Sequence, residues 1–142
     1  MKSLVKAFGF IAILIFSFQA NAVSLGSLSP DDNFPISSAV FGSGFADTYG
    51  FKLTETSTLG ISATNVYFGS SNKITNFGGE LISSSGSTIL DLTKTPIPAS
   101  GIVQVLSLGL SNLTAGNYVL KIFGDAPLSG ASYGGNIVVS AV

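Results

Sequence analysis

The sequence predicts an all-β fold, an antiparallel two-sheet β-sandwich of jelly-roll type, placed after an N-terminal signal helix. Three observations predict it. Apolar residues alternate with small or polar ones over several short stretches, most plainly along Phe45-Ala46-Asp47-Thr48-Tyr49-Gly50-Phe51-Lys52-Leu53, which is the period of a half-buried strand. Gly, Ser and Asn interrupt these stretches every few residues, as turns between short strands require. No stretch sustains an i, i+3, i+4, i+7 apolar pattern, and the helix formers Glu, Gln, Lys and Arg are scarce.

The first element is an address. Met1 to Lys6 is a short positive start, residues 7–18 carry no charge, and Ala20-Asn21-Ala22 offers a small-x-small cleavage site. Together they form the three-part pattern of a secretory signal peptide, cut after Ala22. As a helix the uncharged run reaches about 18 Å, short of the roughly 30 Å hydrocarbon core, so a membrane anchor is the poorer reading. The expected organisation is a signal peptide over 1–22 and one sandwich domain over 23–142. The product is exported, periplasmic or secreted, with no membrane span after cleavage.

In the body, Phe45, Tyr49, Phe51 and Leu53 share one parity and hence one sheet face. After Glu55-Thr56-Ser57, the residues Leu59, Ile61 and Ala63 alternate again, and the two stretches read as a hairpin. In the middle, Val66-Tyr67-Phe68 and residues 74–77, 80–83 and 88–92 each read as a short strand. Asn72, Gly78-Gly79 and Ser84-Ser85-Gly86 mark the turns. Two prolines make residues 95–98 a loop. The pattern resumes over 102–110, with Leu106, Leu108 and Leu110 in register. Tyr118, Leu120 and Ile122 then alternate with Val119, Lys121 and Phe123, and residues 124–130 around Pro127 form a connection. Tyr133, Gly135, Ile137, Val139 and Ala141 alternate through the last strand. Residues 136–142 are uncharged and rich in β-branched side chains. Their alternation suits a strand of the chain's own sheet better than an open edge that invites another chain.

Missing residue types exclude much chemistry. The 142 residues contain no Cys, no His and no Trp, and all six basic residues are Lys. Thiolate nucleophiles, imidazole bases, Ser-His-Asp triads and Cys/His metal or haem sites are therefore absent from the inventory. Without Arg there is no bidentate clamp for phosphate or carboxylate. Beyond residue 22, Lys52, Lys73, Lys94 and Lys121 face all seven acids, a poor match for nucleic acid. No disulfide is possible, so stability rests on the core.

A few residues stand out. Leu113, Gly116 and Tyr118 have the L-x-x-G-x-Y spacing of a tyrosine corner, in which the phenol turns back onto backbone upstream. Asp47 falls on the apolar parity of its strand and needs donors nearby. The structural reading satisfies it with backbone or Tyr hydrogens. The other makes it a weak calcium candidate, against which stands the scatter of the remaining acids, since calcium takes six to eight oxygens. Asp31-Asp32 reads as a solvated turn. Tyr67, Phe68, Phe77 and Phe123 are the aromatics that parity offers for stacking on a sugar. No residue is assigned a catalytic role, and no cofactor is expected.

Phe45-x-Asp47-x-Tyr49 resembles the F-x-D-x-F signature of a group of small exported bacterial proteins, with Tyr49 in place of the second Phe. The likeness extends to Leu25-Gly26-Ser27-Leu28-Ser29, to Leu113-x-x-Gly116-x-Tyr118 and to Ser132-Tyr133-x-Gly135. The group is the FxDxF family of PEP-CTERM proteins. The resemblance implies a β-sandwich exported by a Gram-negative, exopolysaccharide-producing bacterium, and no enzymatic activity. Members end in a Pro-Glu-Pro motif, an apolar span and a basic tail. The sequence stops at Val142 after its last strand, so the likeness is to a tail-less relative. A weaker similarity is to the pre-peptidase C-terminal domain of secreted proteases, through the D-x-Y-x-F strand and the late G-x-Y-x-L strand. Some members of that family bind calcium or a substrate polymer. The function expected from all this is a non-enzymatic envelope or extracellular-matrix protein associated with exopolysaccharide. The alternatives are a small carbohydrate-binding module and a self-assembling surface subunit.

Overall fold

A computed structural model describes residues 20–69, 71–83, 85–95 and 103–142. The expected signal helix falls on residues outside this description, apart from residues 20–22. The described chain forms ten strands: β1 (Ala20–Leu28), β2 (Asn33–Val40), β3 (Phe45–Leu53), β4 (Ser57–Val66), β5 (Thr75–Ser83), β6 (Thr88–Asp91), β7 (Thr93–Thr95), β8 (Val103–Leu113), β9 (Gly116–Asp125) and β10 (Ala131–Ala141). They make two five-stranded sheets, ordered β1-β3-β9-β5-β6 and β2-β10-β4-β8-β7. All pairings are antiparallel except β1 on β3, which is parallel. The all-β sandwich that the sequence predicts is the architecture found.

The core lies between the sheets and is built by parity. Phe45, Tyr49, Phe51 and Leu53 of β3, Tyr118, Leu120 and Ile122 of β9, and Phe77 and Leu81 of β5 are buried from one layer. Leu59, Ile61 and Ala63 of β4, Leu106 and Leu108 of β8, and Tyr133, Ile137 and Val139 of β10 meet them from the other. Fully burying one such side chain contributes about 1.5–3 kcal/mol, so this interior holds the fold without a cross-link.

Three local expectations are corrected. The hairpin of residues 45–54 with 57–63 does not form, because β3 and β4 belong to different sheets. Alternation marks which face of a strand is buried, not which strand lies beside it. Here the backbone N–H of Thr54 donates to the Leu28 carbonyl at 3.1 Å, and the chain crosses to the opposite layer so that the two apolar faces meet. Residues 74–77 and 80–83 are not separate strands around a Gly78-Gly79 turn, since both glycines lie inside β5. They provide space: a Cβ on Gly78 would fall 2.7 Å from the Phe123 ring, and one on Gly79 3.0 Å from Ile122. Tyr67 and Phe68 lie beyond the end of β4, which stops at Val66. The 88–92 strand forms as β6, which ends at Asp91, and β7 follows directly. β6 pairs with β5 and β7 with β8, and the chain changes layers at Leu92, whose N–H donates to the Gly79 carbonyl at 2.8 Å. Thr95 thereby ends a strand, while residues 96–98 of the expected loop lie outside the description.

β10 lies between β2 and β4, so residues 136–138 are paired on both sides, while Ser140 and Ala141 pair with β4 alone. The outer face of this second sheet carries no charge among its described side chains. Cross-strand register brings Ser37, Gly134, Thr64 and Val105 into one row and Pro35, Asn136, Ser62 and Ser107 into the next.

Candidate functional site

Asp47 is the polar exception on the buried face of β3, and the fold has built around it. It is 2% exposed. The Tyr133 hydroxyl, from β10 in the opposite sheet, donates to its Oδ2 at 2.6 Å. Since that proton is committed, the Tyr49 hydroxyl donates in turn to the Tyr133 oxygen at 2.6 Å. Ser38 supplies a further hydrogen bond to the carboxyl. The Phe45 ring stacks on Tyr133 with centroids 6.3 Å apart, and Phe77 leans on it at 6.0 Å. Burial raises the Asp47 pKa, outweighing the hydrogen bonds from Tyr133 and Ser38, which lower it. Burial likewise raises Tyr49 and Tyr133, so both phenols stay protonated.

These oxygens do not fit a calcium ion. Asp47 is bonded by one phenol and a serine, and among the described residues no three acids come together as a metal-holding group. The cluster instead pins one sheet to the other through a short chain of hydrogen bonds in a low-dielectric interior. A raised carboxyl pKa contributes stability that is present below the ordinary value of 3.8 and lost as the pH rises through the folded value. Wild-type protein is therefore expected to lose stability relative to Asp47→Asn as the pH climbs from acid to neutral. Thermal melts of both proteins across that range would show it; parallel pH profiles would count against the assignment.

The other residues singled out in the sequence are dispersed. Tyr118 donates from its hydroxyl to the Thr114 carbonyl at 2.6 Å, stacks on Phe51 at 5.9 Å and sits on the core side. Leu113 is buried beside it and Gly116 has a φ of 146°, the geometry of a tyrosine corner. Asp32 accepts the Ser29 N–H at 2.7 Å in a surface turn, while Asp31 adopts a φ of 79° there. Of the four aromatics, Tyr67 and Phe77 are buried, whereas Phe68 is 69% exposed. Phe123 is half-buried on the outer face of the first sheet.

Phe123 has a setting the sequence did not disclose. Its ring lies over Gly78 of the neighbouring strand, and the Lys121 ammonium stands 5.7 Å from the ring centroid. At the end of the same strand the Asp125 carboxylate is fixed from two sides. The Gly44 N–H donates to Oδ1 at 2.7 Å and the Asn76 amide donates to Oδ2 at 2.8 Å. Those bonds hold the Asp125 pKa below its ordinary value, keeping it an ionised acceptor. Asn76 reaches it from an irregularity in β5, where the register shifts between Thr75 and Gly78 and Asn76 itself takes a φ of 52°. A shallow hollow of about 310 Å³ opens between these groups, lined by Gly44, Ala46, Asn76, Lys121, Phe123 and Asp125 among others. A flat ring, a fixed carboxylate, an amide and an ammonium around one hollow can receive a ligand with an apolar face and hydroxyl edges. A larger trough of about 700 Å³ on the second sheet is lined by Ser37, Ser38, Ala39, Thr64, Val66, Ser132, Tyr133 and Gly134. It offers no charged side chain to orient a ligand.

No family model matches the chain, and no curated protein does. Among solved structures it is similar to the pre-peptidase C-terminal domain of a collagenase from Bacillus anthracis. That likeness has 15% identity and a TM-score of 0.50, over 84% of this chain and 95% of that one. It is also similar to part of a lipase from Bacillus licheniformis solved in its propeptide form, with 10% identity and a TM-score of 0.54, over 77% of this chain and 22% of that one. A carbohydrate-binding module from Clostridium stercorarium, solved with cellobiose, matches at 11% identity with a TM-score of 0.43, over 83% of this chain and 99% of that one. The first two likenesses show a shared sandwich fold and nothing about activity.

Proposed function

We propose that this chain is an exported, non-enzymatic module of the bacterial envelope or extracellular matrix, and that it holds extracellular polysaccharide at Phe123. The observation that carries the reading is the Phe123 ring lying over Gly78 beside the fixed Asp125 carboxylate. A pyranose presents a flat C–H face and a rim of hydroxyls. The face stacks on the ring, Asp125 accepts from one hydroxyl, and Lys121 and Asn76 donate to others. The described side chains on the outer face of the second sheet are uncharged and rich in hydroxyls, which supports contact with a neutral polymer rather than a charged one. The non-enzymatic part of the reading is supported by Asp47, the buried acid, whose carboxyl faces phenols instead of a second carboxylate.

Affinity electrophoresis of the folded protein in gels containing purified exopolysaccharide tests this. Retardation is expected for wild type. Phe123→Ala should weaken it by about tenfold or more, equivalent to 1.4 kcal/mol, with the melting temperature little changed because the ring is half-buried. No retardation of wild type by any extracellular polysaccharide would overturn the reading. Retardation that survives Phe123→Ala would move the contact to the second sheet.

A further inference from the structure

We infer that the outer face of the first sheet carries a second saccharide subsite over Gly50, and that the two subsites together take an extended internal stretch of a neutral polysaccharide. The inference rests on the saccharide reading of Phe123. A hollow of about 400 Å³ opens between β1, β3 and β9, lined by Ser24, Ser27, Gly50, Lys52, Asn117 and Val119 among others. It lies on the same sheet face as the Phe123 hollow and along the same strand pair. Ala46, Thr48, Gly50 and Lys52 alternate with the buried residues of β3 and so face outward. Register sets Ala46 beside Phe123, Thr48 beside Lys121, Gly50 beside Val119 and Lys52 beside Asn117. Lys121 lines the first hollow and Gly50 the second, in adjacent rows, so one track joins them. From Ala46 to Lys52 the strand advances roughly 20 Å.

Gly50 has no packing reason to be glycine. A Cβ there would meet nothing nearer than the Val23 carbonyl oxygen at 4.0 Å, and its φ lies outside the left-handed region. Glycine inside a strand costs about 0.5–1 kcal/mol relative to alanine. Where no neighbour excludes a side chain, it marks a place where another molecule approaches the backbone closely. Here it lowers the floor of the hollow. The rim is shaped by β1, whose register passes from Ser24 at Gly50 to Gly26 at Phe51, with Gly26 at a φ of 76°. That extra residue brings Ser27 beside Lys52 on the outer face, in the position Gly26 would otherwise take. Two serine hydroxyls, Ser24 and Ser27, therefore border the hollow.

Chemistry and length select the ligand. Ser24, Ser27, Lys52 and Asn117 are exposed, and across the register Lys52 faces Ser27 and Asn117 and no acid. These groups hold a sugar by its hydroxyl edge, whereas Phe123 holds one by its flat face. Further along the track Lys121 has Glu80 opposite it, and Glu80 has Asp91 opposite in turn. With Asp125 at the far end, these acids repel a polyanion and leave a neutral chain as the match. The separation of the two hollows exceeds the length of a disaccharide, so only a longer chain fills both. Both hollows are shallow and open, so a polymer can pass along the face without ending there.

Calorimetry with a disaccharide and a size-graded series of longer oligosaccharides, cut from the neutral exopolysaccharide that retards wild type, tests the inference. Affinity for wild type should climb about tenfold or more between the disaccharide and chains that cover both hollows, then level off. Gly50→Val fills the second hollow, and Lys52→Gln combined with Asn117→Ala removes its donors. Each should abolish the gain with length and leave disaccharide affinity within about twofold of wild type. Gly50→Val should melt no lower than wild type, because its Cβ has room and valine suits a strand. A flat length profile in wild type, or a gain that survives Gly50→Val, overturns the inference and leaves Phe123-dependent retardation standing. Retardation by acidic polysaccharides alone overturns it as well. Absence of any retardation of wild type overturns both this inference and the saccharide reading.

Discussion

Replacing Gly135 with alanine is expected to destabilise the domain by about 3 kcal/mol or more, the largest effect expected of a single methyl added at any described glycine. Gly135 lies in β10, opposite Ile36 on one side and Ala63 on the other. A Cβ there would fall 1.9 Å from the Ser62 carbonyl oxygen and 2.9 Å from the Ala63 Cα. Those atoms are backbone of β4, so no rotamer change removes the overlap. Two central strands must separate, and the pairing of β10 with β4 runs from Ser57 to Thr64. At roughly 3–5 °C per kcal/mol for a domain of this size, the melting temperature should fall by about 10 °C or more. Gly109→Ala in β8 is the internal comparison. A Cβ there meets nothing within 4 Å, and it should be neutral or stabilising by about 0.5 kcal/mol through the unfolded chain. Equal melts for the two variants would show that β10 can move away from β4 at little cost.

Gly135 also explains what the short motifs of the sequence are for. Ser132-Tyr133-x-Gly135 places the phenol that donates to Asp47 two residues before the glycine that allows close approach to β4. Phe45-x-Asp47-x-Tyr49 supplies the ring that stacks on that phenol, the carboxyl that accepts from it and the hydroxyl that donates to it. The two motifs meet across the sandwich as one structural joint.

Parity was legible wherever a strand buries one face. β3, β9 and β10 alternate so cleanly that their inward residues could be read directly, Asp47 included. Partnership was not legible, because a strand's neighbours are fixed by layer crossings that leave no local trace. The 45–63 stretch therefore looked like a hairpin. Gly78-Gly79 misled for a related reason: glycine marks a turn and a close approach alike, and here the neighbouring bulk is Phe123, remote in sequence. Phe123 was within reach of parity reasoning as an outward aromatic. Asp125 and Asn76 were not, since their bond depends on a strand irregularity at Asn76. Asn65 and Gln104 carried the signal that drew attention to Asp47, a polar residue at an inward position of an apolar strand, and the same reasoning would have found them.

Substituting Asn65 with leucine is the second large expected effect, a loss of about 3–5 kcal/mol despite the similarly branched side chain. Asn65 is 0% exposed, and its amide closes a network around the β4–β5 connection. Its Nδ2 donates to the Ser132 carbonyl at 2.8 Å and to the Asn72 carbonyl at 3.3 Å. Its Oδ1 accepts from Ile74 N–H at 3.1 Å and from Gln104 Nε2 at 2.8 Å. Leucine leaves donors and acceptors on both sides without partners in a dry interior, each costing about 1–3 kcal/mol if water stays out. Gln104 keeps its bond to the Ile74 carbonyl at 2.6 Å, which limits the damage to the side facing residue 65. The loss should be local in structure as well as global in energy, because the connection anchored here presents Phe68. Chemical denaturation would measure the first effect. Amide hydrogen exchange at Ile74 would measure the second, protection falling in the variant while that of Leu120, in the middle of the other sheet, follows global stability alone. A cost below about 1 kcal/mol, with Ile74 still protected, would mean that the network repairs itself without the amide and that the connection is held from elsewhere.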